Sequence, residues 1–277
     1  MTFTLGDEAR NAGYRLVSYP EVGSTNAEAL AAARAGDPGR IWFVTGHQTA
    51  GRGRRGRAWE APPGNLAASL LMVGDRDPGT AASLGFVAGL ALDEALRRVA
   101  PSLDVRIALD GIDPGRGGEG DRLRLKWPND VLLDGAKLSG ILLEGEALPG
   151  GGFAVIIGIG VNVAHAPAGL PYPAVALHGL GLPVDAARLF AALSDAWTGL
   201  ERLWAGGRGF GTIRRIWLDR AAGIGERVAV QLGGAAFEGT FETIDEAGRL
   251  VLRLADGSRR MVAAGEVHFG AAATVPS

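Results

Sequence analysis

Four arginines lie within the seven residues from Gly51 to Arg57, which read GRGRRGR. Guanidinium groups at this density cannot stabilise a core, because each would lose its hydration without gaining a partner. They must face water or an anion, and the planar guanidinium fork matches phosphate and carboxylate while glycine lets backbone amides approach the same ligand. The segment predicts phosphate binding, although a solvated arginine turn or a nucleic-acid contact fits the same residues. It is not a P-loop, since the Gly-Lys-Ser/Thr ending is absent.

Lys137 follows a predicted tight turn at Asp134-Gly135, in a strand of otherwise apolar residues. An ammonium there can place a point charge on a phosphate or on a developing carboxyl charge. The alternative is a strand-edge lysine that discourages aggregation. Shortly before it, the segment KWPND, from Lys126 to Asp130, ends another strand. Its Asn and Asp side chains either close the turn by local hydrogen bonds or offer polar groups to a ligand.

The segment IGIGVN, residues 157–162, is a strand interrupted by two glycines, Gly158 and Gly160. Strand glycines allow a flat ligand to approach the backbone, and the carboxamide of Asn162 can recognise an amide or a ring edge. The segment fails as a dinucleotide fingerprint, because it lacks a third glycine and opens no helix. The sequence predicts no resident metal site: the four histidines lack ligand spacing, and the chain has no cysteine to serve as thiolate ligand or nucleophile.

Composition narrows the class of protein. The chain has 277 residues, with 28 basic and 30 acidic side chains, and its formal net charge of −2 carries no polyelectrolyte signature. The hydrophobic fraction of 47% is that of a folded globular protein. Neither a secretory signal nor an apolar stretch long enough to span a membrane is present, so we expect a cytoplasmic protein without a membrane partner.

The elements that position these residues are strands and helices in the first 221 residues. Strand patterns occupy residues 14–22, 41–46, 65–73, 103–109, 122–127 and 153–163, with a hairpin around 134–135. Helix patterns begin at Ser24-Thr25-Asn26 and occupy 80–100, 185–204 and 209–222. Thr25 and Glu28 have the spacing of a capping box for the first helix. Residues 110–121, rich in Gly and Asp, predict a mobile surface insertion.

From residue 222 the pattern changes to short alternating strands separated by turns. This pattern is typical of a small β-barrel of about fifty residues. We therefore predict two domains, residues 1–221 and residues 222–277.

Five separated motifs carry a resemblance to one family. Ser24-Thr25-Asn26, Gln48 with GRGRRGR, KWPNDV, KLSGIL and IGIGVN occur in the order and approximate spacing seen in biotin protein ligases. The resemblance implies an α+β fold: a mixed β-sheet with helices, similar to the catalytic core of class II aminoacyl-tRNA synthetases and of biotin and lipoyl ligases, plus a C-terminal SH3-like β-barrel. It also implies ATP-dependent attachment of biotin, through biotinyl-5′-AMP, to a lysine of the biotin carboxyl carrier protein of acetyl-CoA carboxylase or another biotin-dependent carboxylase.

The resemblance assigns roles to residues of this chain. It implies that biotin is contacted by Ser24, Thr25, Asn26, Gln48, Arg52, Gly53, Arg54, Lys137 and Gly140. It implies that the nucleotide is contacted by Arg54, Arg57, Trp59, Lys137 and Asn162. The implied catalytic residues are Lys137, Arg54 and Asp130, with Mg²⁺ accompanying ATP and Asp130 near the metal or the incoming lysine.

Two departures from the family pattern lead to further expectations. Bifunctional members carry a winged helix-turn-helix domain before the ligase core, whereas the first motif here begins at Ser24, so we expect no DNA binding. Many members have an Ala-Thr-Ser-Leu stretch where this chain reads AVALH, residues 174–178, so a hydroxyl contact from that stretch is not expected. The expected assembly is a monomer or a homodimer.

Two other functions compete with this interpretation. A lipoate ligase or octanoyl transferase shares the catalytic architecture, but its arginine-glycine motif and pocket differ from GRGRRGR and KWPND. A nucleic-acid binding protein could use the arginine loop and the small barrel. The near-neutral charge and the aromatic content of 6% argue against a stacking platform for bases.

Overall fold

The structure is a computed structural model that describes residues 1–74, 77–104, 122–149, 151–232, 235–263 and 266–269. The predicted surface insertion at 110–121 lies outside the described residues. So does most of the strand predicted at 103–109, and the described residues at its start form a 3₁₀ turn, Pro101–Asp104. Within the described ranges, no helix has the length and apolar character needed to cross a membrane.

Seven strands form the central sheet. They are β1 (Arg15–Tyr19), β2 (Gly39–Thr45), β3 (Leu66–Gly74), β4 (Leu123–Lys126), β5 (Asp130–Leu133), β6 (Ala136–Ala147) and β7 (Phe153–Val161). The strand order is β1-β2-β3-β7-β6-β5-β4. The pair β1 and β2 is parallel and the other neighbours are antiparallel, so the predicted mixed sheet is confirmed.

Helices cover both faces of this sheet. They are α1 (Asp7–Asn11), α2 (Thr25–Arg34), α3 (Pro78–Ala82), α4 (Leu84–Val99), α5 (Ala186–Trp204) and α6 (Phe210–Asp219). Successive strand side chains point to opposite faces. On β2, Trp42 accordingly joins the large core with α4 and α5, while Ile41 and Phe43 join a smaller core with α2. Burial on both faces explains why β2, β3 and β7 are nearly continuous apolar runs.

Two helix boundaries differ from the sequence prediction. The helix predicted at 80–100 is broken at Ser83, whose hydroxyl donates to the Thr80 carbonyl at 2.6 Å and accepts from the Trp204 indole at 2.7 Å. The capping box predicted for Thr25 and Glu28 was wrong, because it placed the start of the helix one residue too late. The N-cap is Ser24, whose hydroxyl accepts from the Ala27 amide at 3.4 Å. This arrangement leaves the hydroxyl of Thr25 free of capping.

The predicted hairpin is confirmed, and it fixes the position of Lys137. Asp134 and Gly135 both have positive φ, 50° and 80°, as a two-residue turn of type I′ requires. The turn joins β5 to β6. Lys137 is therefore the second residue of a strand that lies between β5 and β7, inside the sheet. The strand-edge interpretation of Lys137 was wrong.

Five short strands form the C-terminal sheet. They are β8 (Arg227–Leu232), β9 (Ala235–Ile244), β10 (Leu250–Arg253), β11 (Arg259–Val262) and β12 (Glu266–Phe269). They pair antiparallel in the order β11-β10-β9-β8-β12, which confirms the predicted all-β module. The indole of Trp127, in the KWPND segment, donates at 3.1 Å to the carbonyl of Gly248, in the turn between β9 and β10. The boundary at residue 222 stays a prediction.

A buried carboxylate joins α4 to the end of α6. Asp93 is fully buried, and its carboxylate lies 3.1 Å from the Arg97 guanidinium and 2.5 Å from that of Arg220. We expect Asp93→Ala to lower the free energy of unfolding by about 2–4 kcal/mol, because it leaves partly desolvated guanidiniums without their carboxylate. Urea denaturation followed by circular dichroism measures the loss. The control is Asp7→Ala, which removes an exposed ion pair with Arg10 and is expected to change stability little. Equal losses in the two variants would contradict this prediction.

Candidate active site

Lys137 lies in a charged site with aromatic walls. Its Nζ is 2.8 Å from Oδ1 of Asp130, the first residue of the neighbouring strand β5. The ammonium is also 5.7 Å from the Trp59 ring centroid and 5.5 Å from that of Tyr172. Both charged side chains are about four-fifths buried, with 19% and 18% exposure. A largely buried cation on this hairpin can bind an anion that displaces its carboxylate partner.

The arginine loop folds back on itself at the edge of this site. The Trp59 amide donates to the Gly51 carbonyl at 2.9 Å, and the Gly53 amide donates to the Arg57 carbonyl at 2.7 Å. These bonds close a short hairpin with a 3₁₀ turn, Arg54–Gly56, at its tip. The side chains of Arg52, Arg55 and Arg57 are exposed, as expected for groups that face water or an anion.

Arg54 joins the loop to the KWPND segment. Its Nη1 donates to Oδ1 of Asn129 at 3.1 Å, and Nδ2 of Asn129 donates to the Ile141 carbonyl at 2.6 Å. The sequence left open whether the side chain of Asn129 closes the turn or reaches a ligand. In the structure it fixes the turn to β6 and holds Arg54 next to the KWPND segment.

A compact cluster of neutral polar groups lies beside this charged site. Its members Ser24, Thr25, Asn26 and Gln48 are each at most 9% exposed. Oε1 of Gln48 accepts from the Thr25 amide at 2.9 Å, and Oγ1 of Thr25 lies 2.7 Å from the hydroxyl of Ser69 on β3. Gln48 also lines a groove of about 310 Å³ between residues 48–51 and 58–62. Buried polar groups of this kind suit a neutral ligand that offers hydrogen bonds.

The strand glycines hold side chains of this chain. A Cβ at Gly158 would collide with the carboxamide of Asn26, and a Cβ at Gly160 would collide with the indole of Trp59. At Gly140 the nearest atom to a Cβ is again in Trp59, at 3.0 Å. From the sequence, the gaps at Gly158 and Gly160 were predicted to admit a flat ligand. In the structure they seat Asn26 and Trp59 against the sheet.

Asn162 follows β7 and is 1% exposed. Its backbone amide donates to the Leu138 carbonyl at 2.9 Å, which sets the residue beside β6. Its side-chain Oδ1 is buried and has no hydrogen-bond partner in the described part of the chain. A buried acceptor without a partner is costly, so this atom is available to a ligand that donates a hydrogen bond.

Several residues that complete the site were not predicted from the sequence: Asn65, Ser69, Glu144 and Tyr172. Oδ1 of Asn65 accepts three backbone N–H groups, those of residues 163, 164 and 165, at 3.0–3.1 Å. Ser69 was detectable as a lone polar residue in an apolar strand. The partners of Asn65 and Glu144 are about a hundred residues away along the chain, and no local pattern reveals them.

Comparison with known proteins defines the class. Residues 35–162 match the model of the Biotin/lipoate A/B protein ligase family, and residues 223–270 match that of the Biotin protein ligase C terminal domain. The chain is 42% identical to the biotin–[acetyl-CoA-carboxylase] ligase of Paracoccus denitrificans, over 89% of this chain and 97% of the relative. It is 36% identical to the enzyme of the same name from Mycobacterium tuberculosis, over 89% of this chain and 86% of the relative.

A solved structure shares the fold. The biotin protein ligase from Aquifex aeolicus in complex with biotin and ATP superposes with a TM-score of 0.72 at 23% identity, covering 93% of this chain and 99% of that one. The fold and the family models place the chain in the class of biotin and lipoate ligases. The identity to full-length relatives is more specific: the chain belongs to the biotin protein ligase family.

Proposed function

We propose that this protein attaches biotin to a lysine of a biotin carboxyl carrier domain, with ATP as the energy source and biotinyl-5′-AMP as the intermediate. The observation that carries the proposal is the junction of two sites: a neutral polar cluster around Thr25 and Gln48, and a cationic site around Lys137 and Arg54. A ligand with a cyclic urea at one end and a carboxylate at the other matches a neutral polar cluster next to a cationic site. The naming of two relatives at 42% and 36% identity supports the same activity.

The neutral cluster favours biotin over lipoate. The dithiolane ring of lipoate offers no N–H or C=O group, so it would leave the buried groups of Thr25 and Gln48 without new partners. A site built to hydrogen-bond its ligand rejects an analogue that lacks those groups. The ureido ring of biotin supplies both donors and an acceptor.

In the first half-reaction, the biotin carboxylate attacks the α-phosphorus of ATP, and pyrophosphate leaves. We propose that Lys137 turns from Asp130 to the carboxylate and α-phosphate oxygens, while Arg54 closes the loop over them. Such preorganised cations stabilise the charge that develops on phosphate oxygens. No enzyme nucleophile is needed, in agreement with the absence of cysteine from the sequence.

In the second half-reaction, the acceptor lysine attacks the carbonyl of the mixed anhydride, and AMP leaves. We propose that Asp130, once released by Lys137, attracts the incoming ammonium and accepts its proton. The arginine loop would meanwhile shield the anhydride from water.

For the nucleotide, we propose that Trp59 and Asn162 contact adenine. The unpartnered Oδ1 of Asn162 suits the exocyclic amine of adenine, which is a donor. The indole of Trp59, seated on Gly140 and Gly160, offers a flat aromatic surface. Arg57 and Arg52 lie in the exposed part of the loop, from which they can reach phosphate or carboxylate oxygens when the loop closes.

For the metal, we propose that Mg²⁺ arrives with ATP and is held mainly by its phosphates, as is usual for this ion. In the described part of the chain, no three His, Asp or Glu side chains lie close enough together to hold a metal ion. The resemblance places Asp130 near the metal or the incoming lysine, and of these two roles we propose the second. We also propose that the protein acts in the cytoplasm as a monomer or homodimer. Its failure to bind DNA stays a prediction.

Asn65 is expected to support nucleotide binding through the segment that follows Asn162. Asn65→Ala deprives three backbone N–H groups of their acceptor, and we expect the KM for ATP to rise about tenfold, with the KM for biotin nearly unchanged. Steady-state kinetics of pyrophosphate exchange measures both constants. Asn65→Asp keeps the accepting oxygen but loses the donor to the His165 carbonyl, and an intermediate rise is expected. A rise in the KM for biotin equal to that for ATP would contradict this role.

The proposed function is tested by transfer to a carrier. The protein is incubated with biotin, MgATP and a purified biotin carboxyl carrier domain, and the carrier is weighed by intact-mass spectrometry. We expect the mass of one biotinyl group to appear only with both substrates present. The control carrier has its acceptor lysine changed to arginine and is expected to stay unmodified. An unmodified wild-type carrier, or modification of the arginine control to the same extent, would contradict the proposal.

A further inference from the structure

A chain of hydrogen bonds connects a carboxylate on β6 to the neutral polar cluster. Nδ2 of Asn26 lies 2.6 Å from Oε2 of Glu144, and Oδ1 of Asn26 lies 2.5 Å from the hydroxyl of Ser69. The same hydroxyl lies 2.7 Å from Oγ1 of Thr25, which in turn lies 3.2 Å from Oε1 of Gln48. The chain thus runs from a partly buried carboxylate, through three fully or nearly buried side chains, to Gln48 at the groove.

The carboxylate fixes the orientation of the first links. An ionised carboxylate only accepts hydrogen bonds, so the Asn26 amide must present its NH₂ group to Glu144. Its Oδ1 then faces Ser69 as an acceptor. Ser69 has one hydroxyl proton, and this proton must go to Asn26, because two acceptors at 2.5 Å would repel each other.

The same logic orients the remaining links. Since the proton of Ser69 is committed to Asn26, the 2.7 Å contact between Ser69 and Thr25 requires Thr25 to donate. The Thr25 hydroxyl therefore has no proton left for Gln48. Oε1 of Gln48 is itself fixed as an acceptor by the backbone amide of Thr25 at 2.9 Å. Two acceptor oxygens consequently face each other 3.2 Å apart, with no proton between them.

We infer that Glu144 and Ser69 are positioning residues that keep this pair of oxygens, Oγ1 of Thr25 and Oε1 of Gln48, open to an N–H donor of the ligand ring. The inference rests on the proposed function, which supplies a ring with two ureido N–H groups. It deepens that function, because it identifies what selects the ring. Without the carboxylate, the relay can reverse: the Thr25 proton then turns to Gln48 and fills the place that the ligand's N–H would occupy.

The contacts of Asn26 with Glu144 and Ser69 would also serve a purely structural role, which is to hold α2 against the sheet. Burial helps to distinguish this structural role from the positioning role. Ser69 is fully buried in a strand whose other residues are apolar, so packing of the strand does not require its hydroxyl, whereas the relay does. Glu146, two residues along β6, shows the ordinary structural link: it pairs with Arg34 of α2 at 2.7 Å. That hydrogen bond with Arg34 holds the pKa of Glu146 below its usual value. Glu146 therefore provides a matched control on the same strand.

The test compares Glu144→Gln with Glu146→Gln by calorimetric titration of the full-length protein. The ligands are biotin and its two cyclic carbamate analogues, in each of which one ureido N–H is replaced by oxygen. We expect the wild type to bind one carbamate about tenfold more weakly than biotin, the value of one well-made hydrogen bond. We expect Glu144→Gln to weaken biotin binding about five- to tenfold. We also expect the dissociation constant of that carbamate to be only about twice that of biotin in this variant. Glu146→Gln is expected to leave the ratio unchanged.

Two outcomes would overturn the inference: an unchanged biotin affinity in Glu144→Gln, or equal weakening of biotin and both carbamates. If Glu144→Gln does not fold, as judged by thermal unfolding, Ser69→Ala decides, because it breaks the relay at its centre and is expected to reduce the same ratio. Binding also separates this inference from the proposed function. Biotin that binds without being adenylated contradicts the function alone, whereas a wild type that binds no biotin contradicts both.

Discussion

Lys137→Ala is expected to lower biotin-dependent pyrophosphate exchange by about 10²- to 10³-fold, mainly in kcat. The loss is of the size seen when one preorganised charge-stabilising group is removed from an active site. Lys137 lies inside the sheet, with its ammonium close to Asp130, Trp59 and Tyr172. Lys137→Ala removes the cation from the biotin carboxylate and the α-phosphate, and it leaves the carboxylate of Asp130 to repel the phosphates.

The matched control is Asp130→Asn, which breaks the same ion pair and keeps the ammonium. We expect this variant to retain most of the exchange activity and to lose transfer to the carrier, because Asp130 is proposed to act on the acceptor lysine. Initial rates of exchange and of carrier modification separate the two half-reactions. If both variants lost exchange equally, the ion pair would be structural and the catalytic role of Lys137 would be refuted.

Arg54→Ala is expected to release the adenylate into solution, shortening its lifetime on the enzyme at least about tenfold, in addition to slowing its formation. Arg54 is the loop residue that bonds to Asn129, so its loss detaches the loop from the KWPND turn. A detached loop admits water to a hydrolysable anhydride. Rapid filtration after a single turnover with labelled ATP measures the adenylate that stays bound.

The control for the loop is Arg55→Ala, at the exposed tip of the same 3₁₀ turn. Each variant removes one positive charge, while only Arg54→Ala removes the bond to Asn129. We expect Arg55→Ala to retain the adenylate nearly as well as the wild type. Normal retention in Arg54→Ala would show that another contact closes the loop.

Much of the fold was predictable from periodicity. Apolar runs such as IWFVTG, from Ile41, predict strands buried on both faces, and the Asp134-Gly135 pair predicts a two-residue hairpin. The hairpin in turn placed Lys137 at the start of β6. The residues of the motifs were identifiable because the order of the motifs along the chain resembles that of one family. The distances between these residues in the fold could not be predicted from the sequence.

The remaining features depend on tertiary contacts. Ser83 breaks a helix that looks continuous in sequence, because Trp204 reaches its hydroxyl across 121 residues of chain. The gaps at Gly158 and Gly160 looked like space for a ligand, yet they accommodate Asn26 and Trp59. The pairing of Asn26 with Glu144 spans 118 residues, and no local spacing predicts it. Hydrogen-bond direction within the site follows only once such partners are known.

Biotin ligase activity is tested most directly by pyrophosphate–ATP exchange by the purified protein with MgATP, comparing biotin, lipoate and octanoate as the added acid. We expect exchange with biotin and background rates with the other two, because the buried hydroxyl and amide groups around Thr25 bind a ureido ring and reject a dithiolane or an alkyl chain. Exchange with lipoate or octanoate in place of biotin would refute the proposed substrate, and the absence of exchange with all three acids would refute the proposed function.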